Sequence, residues 1–276
     1  MGRQIWLLQE VKKVQIIKVK NLFKILFIFL FTFNFTSLNS AEKVEYLKTD
    51  WSFKGLFGKF DRGALQRGYQ VYTEVCASCH SMKYLSYRNL AEKGGPEFTE
   101  AEAKVIAASF EVTDGPNADG EMFQRPGKLS DKFVMPYENV EAAKAANGGA
   151  YPPDMSVLIK ARGGGADYIY SLLQGYEEPP LGTTLDDGVY YNKYMYGNMI
   201  KMSAPLSDGA VEYSDGTQAS VQQMSKDVTT FLMWAAEPHL EARHQMGFKA
   251  IVYLIILTVL VYFSMKKIWS RVESEV

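Results

Sequence analysis

Cysteine and histidine are scarce in this chain. There are two cysteines and three histidines in 276 residues. Two cysteines cannot build the multi-bridge framework of a small secreted scaffold. A structural zinc site needs four Cys or His ligands at short spacings. Beyond His80 the chain offers only His239 and His244, far along the sequence. No phosphate-cradling glycine loop, dinucleotide fingerprint, internal repeat or low-complexity tract is found. Excess positive charge is also missing. Residues 41–265 carry 28 acidic and 21 basic residues, a net charge of −7. An acidic domain attracts basic partners and repels acidic ones, so a nucleic acid partner is not expected.

What is present is concentrated. Both cysteines lie in one pentapeptide, Cys76-Ala77-Ser78-Cys79-His80, the C-x-x-C-H pattern of covalent haem attachment. Thiols three residues apart on a helical turn lie on one face and can add to two vinyl groups along one porphyrin edge. The following histidine can then offer a nitrogen to the iron. Upstream, Leu65, Tyr69, Tyr72, Cys76 and Cys79 are spaced 4, 3, 4, 3, which predicts an amphipathic helix with Asp61 as its N-cap. A thioredoxin-like pair needs a strand before the motif, and here a helical stripe precedes it. A plain disulfide leaves His80 without a reason.

Residues 1–41 read as a secretory signal. Arg3, Lys12, Lys13, Lys18, Lys20 and Lys24 form a basic region. Ile25 to Phe35 is an apolar run too short to span a bilayer comfortably, and Ser37, Ser40 and Ala41 are small residues suited to cleavage. A retained N-terminal anchor is the alternative. Residues 42–246 are expected to form an exported domain and 247–265 a transmembrane helix, with 266–276 as a cytoplasmic tail. The apolar stretch Phe248 to Met265 spans about 27 Å as a helix, close to the hydrocarbon thickness. Lys249 can snorkel, and Tyr253, Tyr262 and Trp269 suit the interfaces. Lys266, Lys267 and Arg271 put the C-terminus on the cytoplasmic side.

Between these landmarks, helices are expected over Glu100–Ser109, Glu141–Asn147 and Met155–Arg162, the last ended by Gly163-Gly164-Gly165. Turns are expected at Asp114-Gly115-Pro116-Asn117 and Asp119-Gly120. Residues 176–216 read as a long Tyr- and Gly-rich loop. Ser220 to Ala236 is an amphipathic helix, with Ser220 and Gln223 fitting a capping box. His239 and His244 read as solvated or interface residues.

The second axial ligand decides the chemistry. An open position suits a haem enzyme, whereas a thioether gives an electron carrier. Of twelve methionines, Met224 and Met233 fall in a predicted helix and Met265 in the membrane segment. Met122, Met135, Met195, Met199 and Met202 lie in loops, and composition does not choose among them. Met202 has a local argument, because Pro205 stiffens the chain just beyond it.

The ordered motifs carry a family resemblance. They are Trp51-Ser52-Phe53, Arg67-Gly68-Tyr69-Gln70-Val71-Tyr72, Cys76 to Met82, Asp114-Gly115-Pro116-Asn117, Arg125-Pro126-Gly127-Lys128-Leu129-Ser130-Asp131, Pro152-Pro153-Asp154, Ala161-Arg162-Gly163-Gly164 with Asp167-Tyr168, and Trp234-Ala235-Ala236-Glu237-Pro238. Together they resemble the cytochrome c1 family, the haem subunit of the ubiquinol–cytochrome c oxidoreductase (cytochrome bc1) complex, in alphaproteobacterial or mitochondrial style. The resemblance implies a mainly α, class I cytochrome c-like haem domain with long loop insertions and one C-terminal transmembrane helix. It implies one haem c, with Cys76 and Cys79 as thioethers and His80 and Met202 as axial ligands. Arg162 and Tyr168 match propionate contacts, Pro153 the segment beside the proximal histidine, and Asn147 the same edge. The implied partners are cytochrome b, a Rieske iron–sulfur protein and a basic cytochrome c, within a dimeric complex. The implied location is a bacterial inner membrane with the haem domain periplasmic. A free-standing membrane-anchored cytochrome and a haem enzyme with an open site are the alternatives. With both cysteines committed, the loop 176–202 has no disulfide to pin it and must rely on packing.

Overall fold

The architecture, in a computed structural model that describes residues 44–273, is mainly helical. The expected signal segment lies outside the described residues. Six α-helices follow in order: α1 Arg62–Val71, α2 Glu100–Ala108, α3 Val140–Ala146, α4 Gly165–Gln174, α5 Val221–Ala236 and α6 Leu240–Glu273. A 3-10 turn covers Tyr87–Ala91. Two short antiparallel hairpins complete the described chain, β1 Glu111–Asp114 with β2 Phe123–Pro126, and β3 Tyr190–Tyr191 with β4 Met199–Ile200.

Local chemistry sets several boundaries. Asp61 caps α1 through its side chain, which accepts from Ala64 N. Thr99 and Glu102 form a reciprocal capping box at α2. Ser220 caps α5 by accepting from Gln223 N, but the Gln223 side chain donates to Asp227 instead of turning back. Half of the expected capping box is therefore diverted into the α1–α5 interface.

The segment after Met155 departs from expectation. Residues 156–162 form successive tight turns, with Leu158 N donating to Met155 O and Ala161 N to Val157 O, and no regular helix. The glycine run then begins a helix instead of ending one. Gly164 sits at φ +88° as the N-cap of α4, a conformation that favours glycine. Asp167 in the first turn suits the positive end of the helix dipole.

The core forms where α1 crosses α5 and α4 packs on α5. Leu65, Val71, Phe231, Leu232 and Trp234 are essentially inaccessible, each worth about 1.5–3 kcal/mol of burial. Aromatic rings knit the helices to the loops: Tyr69 meets Phe231 at 5.7 Å between centroids, and Tyr87 stacks on Phe133 at 4.9 Å. The hairpin β1–β2 is held by Arg125, whose guanidinium bridges Asp114 and Asp131.

The α6 helix has 34 residues and runs unbroken through position 247. Its first turn belongs to the domain: Arg62 makes paired hydrogen bonds to Glu241 at 2.8 and 2.9 Å, and Phe60 N donates to the same carboxylate. Its apolar stretch is long enough to cross a membrane and is unburied throughout. A fully exposed apolar helix surface of this length needs a lipid environment or protein cover.

Candidate haem-attachment site

The α1 stripe delivers the pentapeptide as the sequence predicts, with one local change. After Val71 the helix widens to a π turn over Tyr72–Cys76, closed by Ala77 N donating to Tyr72 O at 2.8 Å. Such widenings are frequent at functional sites. The Cys76 carbonyl then accepts from both Cys79 N at 3.1 Å and His80 N at 2.9 Å. This tight turn brings the main chain of Cys79 and His80 back onto that of Cys76. The cysteines are not joined to each other. Burial, reinforced by the neighbouring Cys79, pushes the Cys76 thiol up to about 12. An activated redox cysteine has a depressed value, so this environment does not favour thiol redox chemistry. Among the described residues no group of three or more His, Cys, Asp and Glu could hold a metal ion.

His80 is buried, and its Nδ1 lies 2.8 Å from the Pro153 carbonyl oxygen. A carbonyl can only accept, so Nδ1 carries the proton and the lone pair is on Nε2. Among the described residues Nε2 has no hydrogen-bond partner. Burial lowers the His80 pKa, while the Pro153 hydrogen bond and the Asp154 charge oppose that. The outcome is a neutral, oriented imidazole with a free nitrogen, the state a metal ligand requires. Two thiols and this nitrogen in one turn fit a covalently held haem.

Asp154 builds the support, a role the sequence reading did not give it. Its carboxylate accepts from Ser81 Oγ at 2.7 Å, Lys83 N at 3.0 Å and Ser156 N at 3.0 Å. Met155 N donates to Ser81 O across the same junction. Burial alone would raise the Asp154 pKa, but these hydrogen bonds outweigh it and hold the group below its usual value. The available signal was a carboxylate directly after two prolines, where a stiff chain presents it to a neighbouring loop.

The remaining candidates fall into place separately. Met202 is partly buried, and its carbonyl accepts from Tyr176 Oη at 3.1 Å. Met122, Met135 and Met199 are more than half exposed. Met195 accepts at sulfur from Tyr168 Oη at 3.3 Å, and Tyr168 itself is buried. Arg162 is exposed, donates to Ala161 O, and lies close enough to Tyr168 for its charge to act on the phenol. Asn147 caps α3 and donates to Tyr137 Oη at 3.0 Å and Ala143 O at 2.7 Å. His239 is exposed, whereas His244 buries an unpartnered Nδ1.

The chain has relatives among known proteins. The model of the cytochrome C1 family matches residues 51–272. A cytochrome b/c1 of Bradyrhizobium diazoefficiens is 53% identical over 80% of this chain and 35% of its own length, so the chain spans about a third of that relative. A mitochondrial cytochrome c1 heme protein of Arabidopsis thaliana is 47% identical over 87% of this chain and 79% of its own. A cytochrome b-c1 complex catalytic subunit of Candida albicans is 47% identical over 82% and 77%. With the family model matching residues 51–272 and relatives of this identity and coverage, this chain is a member of the cytochrome c1 family.

Proposed function

We propose that the chain is the haem c-bearing electron-transfer subunit of a cytochrome bc1 complex. The observation that carries this is the His80 imidazole, oriented by Pro153 O at 2.8 Å and free at Nε2, in one turn with Cys76 and Cys79. Cys76 and Cys79 would form the thioethers, and His80 and Met202 would be the axial ligands. Arg162 and Tyr168 would contact the propionates, with Asn147 and Pro153 on the proximal edge. The exposure of Met122, Met135 and Met199 supports Met202 among the loop methionines.

Bound there, the haem supplies a one-electron couple. The protein's part is to hold both ligands in place, keep the imidazole neutral, and surround the site with apolar groups that favour the less charged state. Held by His80 and Met202, the iron would have no place for a substrate, so the chemistry supplied would be electron transfer alone. The electron would arrive from a Rieske iron–sulfur protein and leave to a basic cytochrome c. The names of the Bradyrhizobium and Candida relatives support cytochrome b as a neighbour and membership of a b-c1 complex. The whole complex, likewise expected to be dimeric, would be the ubiquinol–cytochrome c oxidoreductase.

The domain limits follow the same reading: signal 1–41, periplasmic domain 42–246, membrane span 247–265, tail 266–276. Lys266, Lys267 and Arg271 support a cytoplasmic C-terminus and a periplasmic haem domain at a bacterial inner membrane.

The test is an absorption spectrum of the reduced protein before and after acid–acetone extraction, with and without carbon monoxide. A pigment that stays with the polypeptide and ignores carbon monoxide is expected. Extractable haem would refute thioether attachment, and ready carbon monoxide binding would favour a haem enzyme. Purification in mild detergent without a b-type cytochrome would favour a free-standing carrier.

A further inference from the structure

The segment from Gly175 to Met202 contains only two two-residue strands, and no disulfide can close it. One residue in it is wholly buried. Asn192 has no exposed surface and uses both side-chain ends. Its Nδ2 donates to Leu172 O in α4 at 2.8 Å, and its Oδ1 accepts from Tyr194 N at 3.0 Å and Met195 N at 3.2 Å. Its backbone N donates to Asn198 O at 2.9 Å, and Lys193 N donates to Gly175 O at 2.9 Å. Tyr176 pairs with Asn192 as an isolated antiparallel bridge. The base of the loop is thereby sewn to the end of α4.

Beyond the β3–β4 hairpin the chain is held differently. From Lys201 to Leu206, among the described residues, no backbone–backbone hydrogen bond is made. Two side-chain ties act there instead: Tyr176 Oη donates to Met202 O at 3.1 Å, and Lys201 Nζ donates to Gly148 O at 3.1 Å. The lysine tie is exposed, whereas the tyrosine is half-buried.

We propose that Tyr176, seated by Asn192, is a positioning residue that fixes the main chain at Met202 and so keeps the thioether sulfur in the axial position. The pair does non-covalently what a disulfide would do in this loop. This rests on Met202 being the axial ligand. A single neutral hydrogen bond contributes about 1 kcal/mol net. Its loss raises the population of the methionine-off state about fivefold.

The test uses the full-length holoprotein in detergent, with Tyr176→Phe and, as a control, Tyr190→Phe on the exposed side of the same hairpin. Readouts are the methionine-to-iron charge-transfer band of the oxidised protein, the rate of carbon monoxide binding to the reduced protein, and the melting temperature. Tyr176→Phe is expected to bind carbon monoxide about fivefold faster and to lose the band at lower temperature, with Tyr190→Phe unchanged. A Tyr176→Phe protein whose band and carbon monoxide rate match wild type overturns the inference, even if its melting temperature falls. A wild-type protein that lacks the band overturns the Met202 reading itself, before any variant is made.

Discussion

Gly68 in α1 lies directly against the main chain of Asp227 in α5. A Cβ at position 68 would stand 2.2 Å from the Asp227 carbonyl oxygen and 2.7 Å from Phe231 Cβ. The two helices therefore touch at their backbones. Arg67, one residue before, clasps the wholly buried Asp227 carboxylate with Nε at 2.9 Å and Nη2 at 3.1 Å. Close approach and ion pair together set how α1 meets α5, and hence where its C-terminal end delivers Cys76.

Gly68→Ala should force the helices apart. Overpacking against backbone has no flexible neighbour to absorb it, and a loss of about 3 kcal/mol is expected. Thermal melting by circular dichroism measures it, and an unchanged melting temperature would show that the crossing is looser than described.

Breaking the pair by Arg67→Ala should cost about 3–5 kcal/mol, because it strands a buried carboxylate. Burial and the contacts with Asp227 and Asp215 make this more than a surface ion pair. Combining it with Asp227→Asn should recover part of the loss in a double-mutant cycle. A purely additive double mutant would deny the coupling.

Asp154→Ala removes the acceptor for one hydroxyl and two backbone N–H groups. The Pro153 carbonyl should then lose its fixed place beside His80. A stability loss of about 2–3 kcal/mol is expected, with a broadened His80 ring signal in the NMR spectrum of the holoprotein. A sharp, unshifted signal would assign Asp154 to stability alone.

Asp167 gives a pH dependence. Burial would raise its pKa, but hydrogen bonds from Trp51 Nε1 at 2.6 Å, Lys48 and Lys54 bring it below its ordinary 3.8. A depressed carboxylate stabilises the fold above 3.8, and that contribution disappears as pH falls through the folded value. Asp167→Asn should therefore cost about 1–2 kcal/mol at pH 7. The gap from wild type should narrow in denaturant titrations below pH 3.8. The lysines are 72% and 55% exposed and contribute little of this.

On the proposed function, electron transfer to a basic soluble acceptor should slow as salt rises, since a net charge of −7 over residues 41–265 would steer the encounter. Stopped-flow rates across an ionic-strength series read this directly. A flat series would leave the charge a role in solubility only.

Short-range signals were legible in the chain itself. The C-x-x-C-H spacing, the 4-3-4-3 stripe ahead of it, the Asp61 and Ser220 caps and the apolar run of α6 all depend on residues within a few turns of one another, where helical periodicity and capping chemistry act. The glycine run at 163–165 misled for the same reason: locally it reads as a stop, but the left-handed Gly164 starts α4. What no local pattern could announce was set by pairing across long separations. The Pro153 carbonyl that fixes the His80 tautomer lies 73 residues away, and the Tyr176 hydroxyl that reaches Met202 lies 26 residues away. The Gly68–Asp227 contact joins helices at opposite ends of the domain. The sequence determined which groups exist and which local elements carry them; only tertiary packing decided which donor meets which acceptor, because a hydrogen bond is set by position in space and not by distance along the chain.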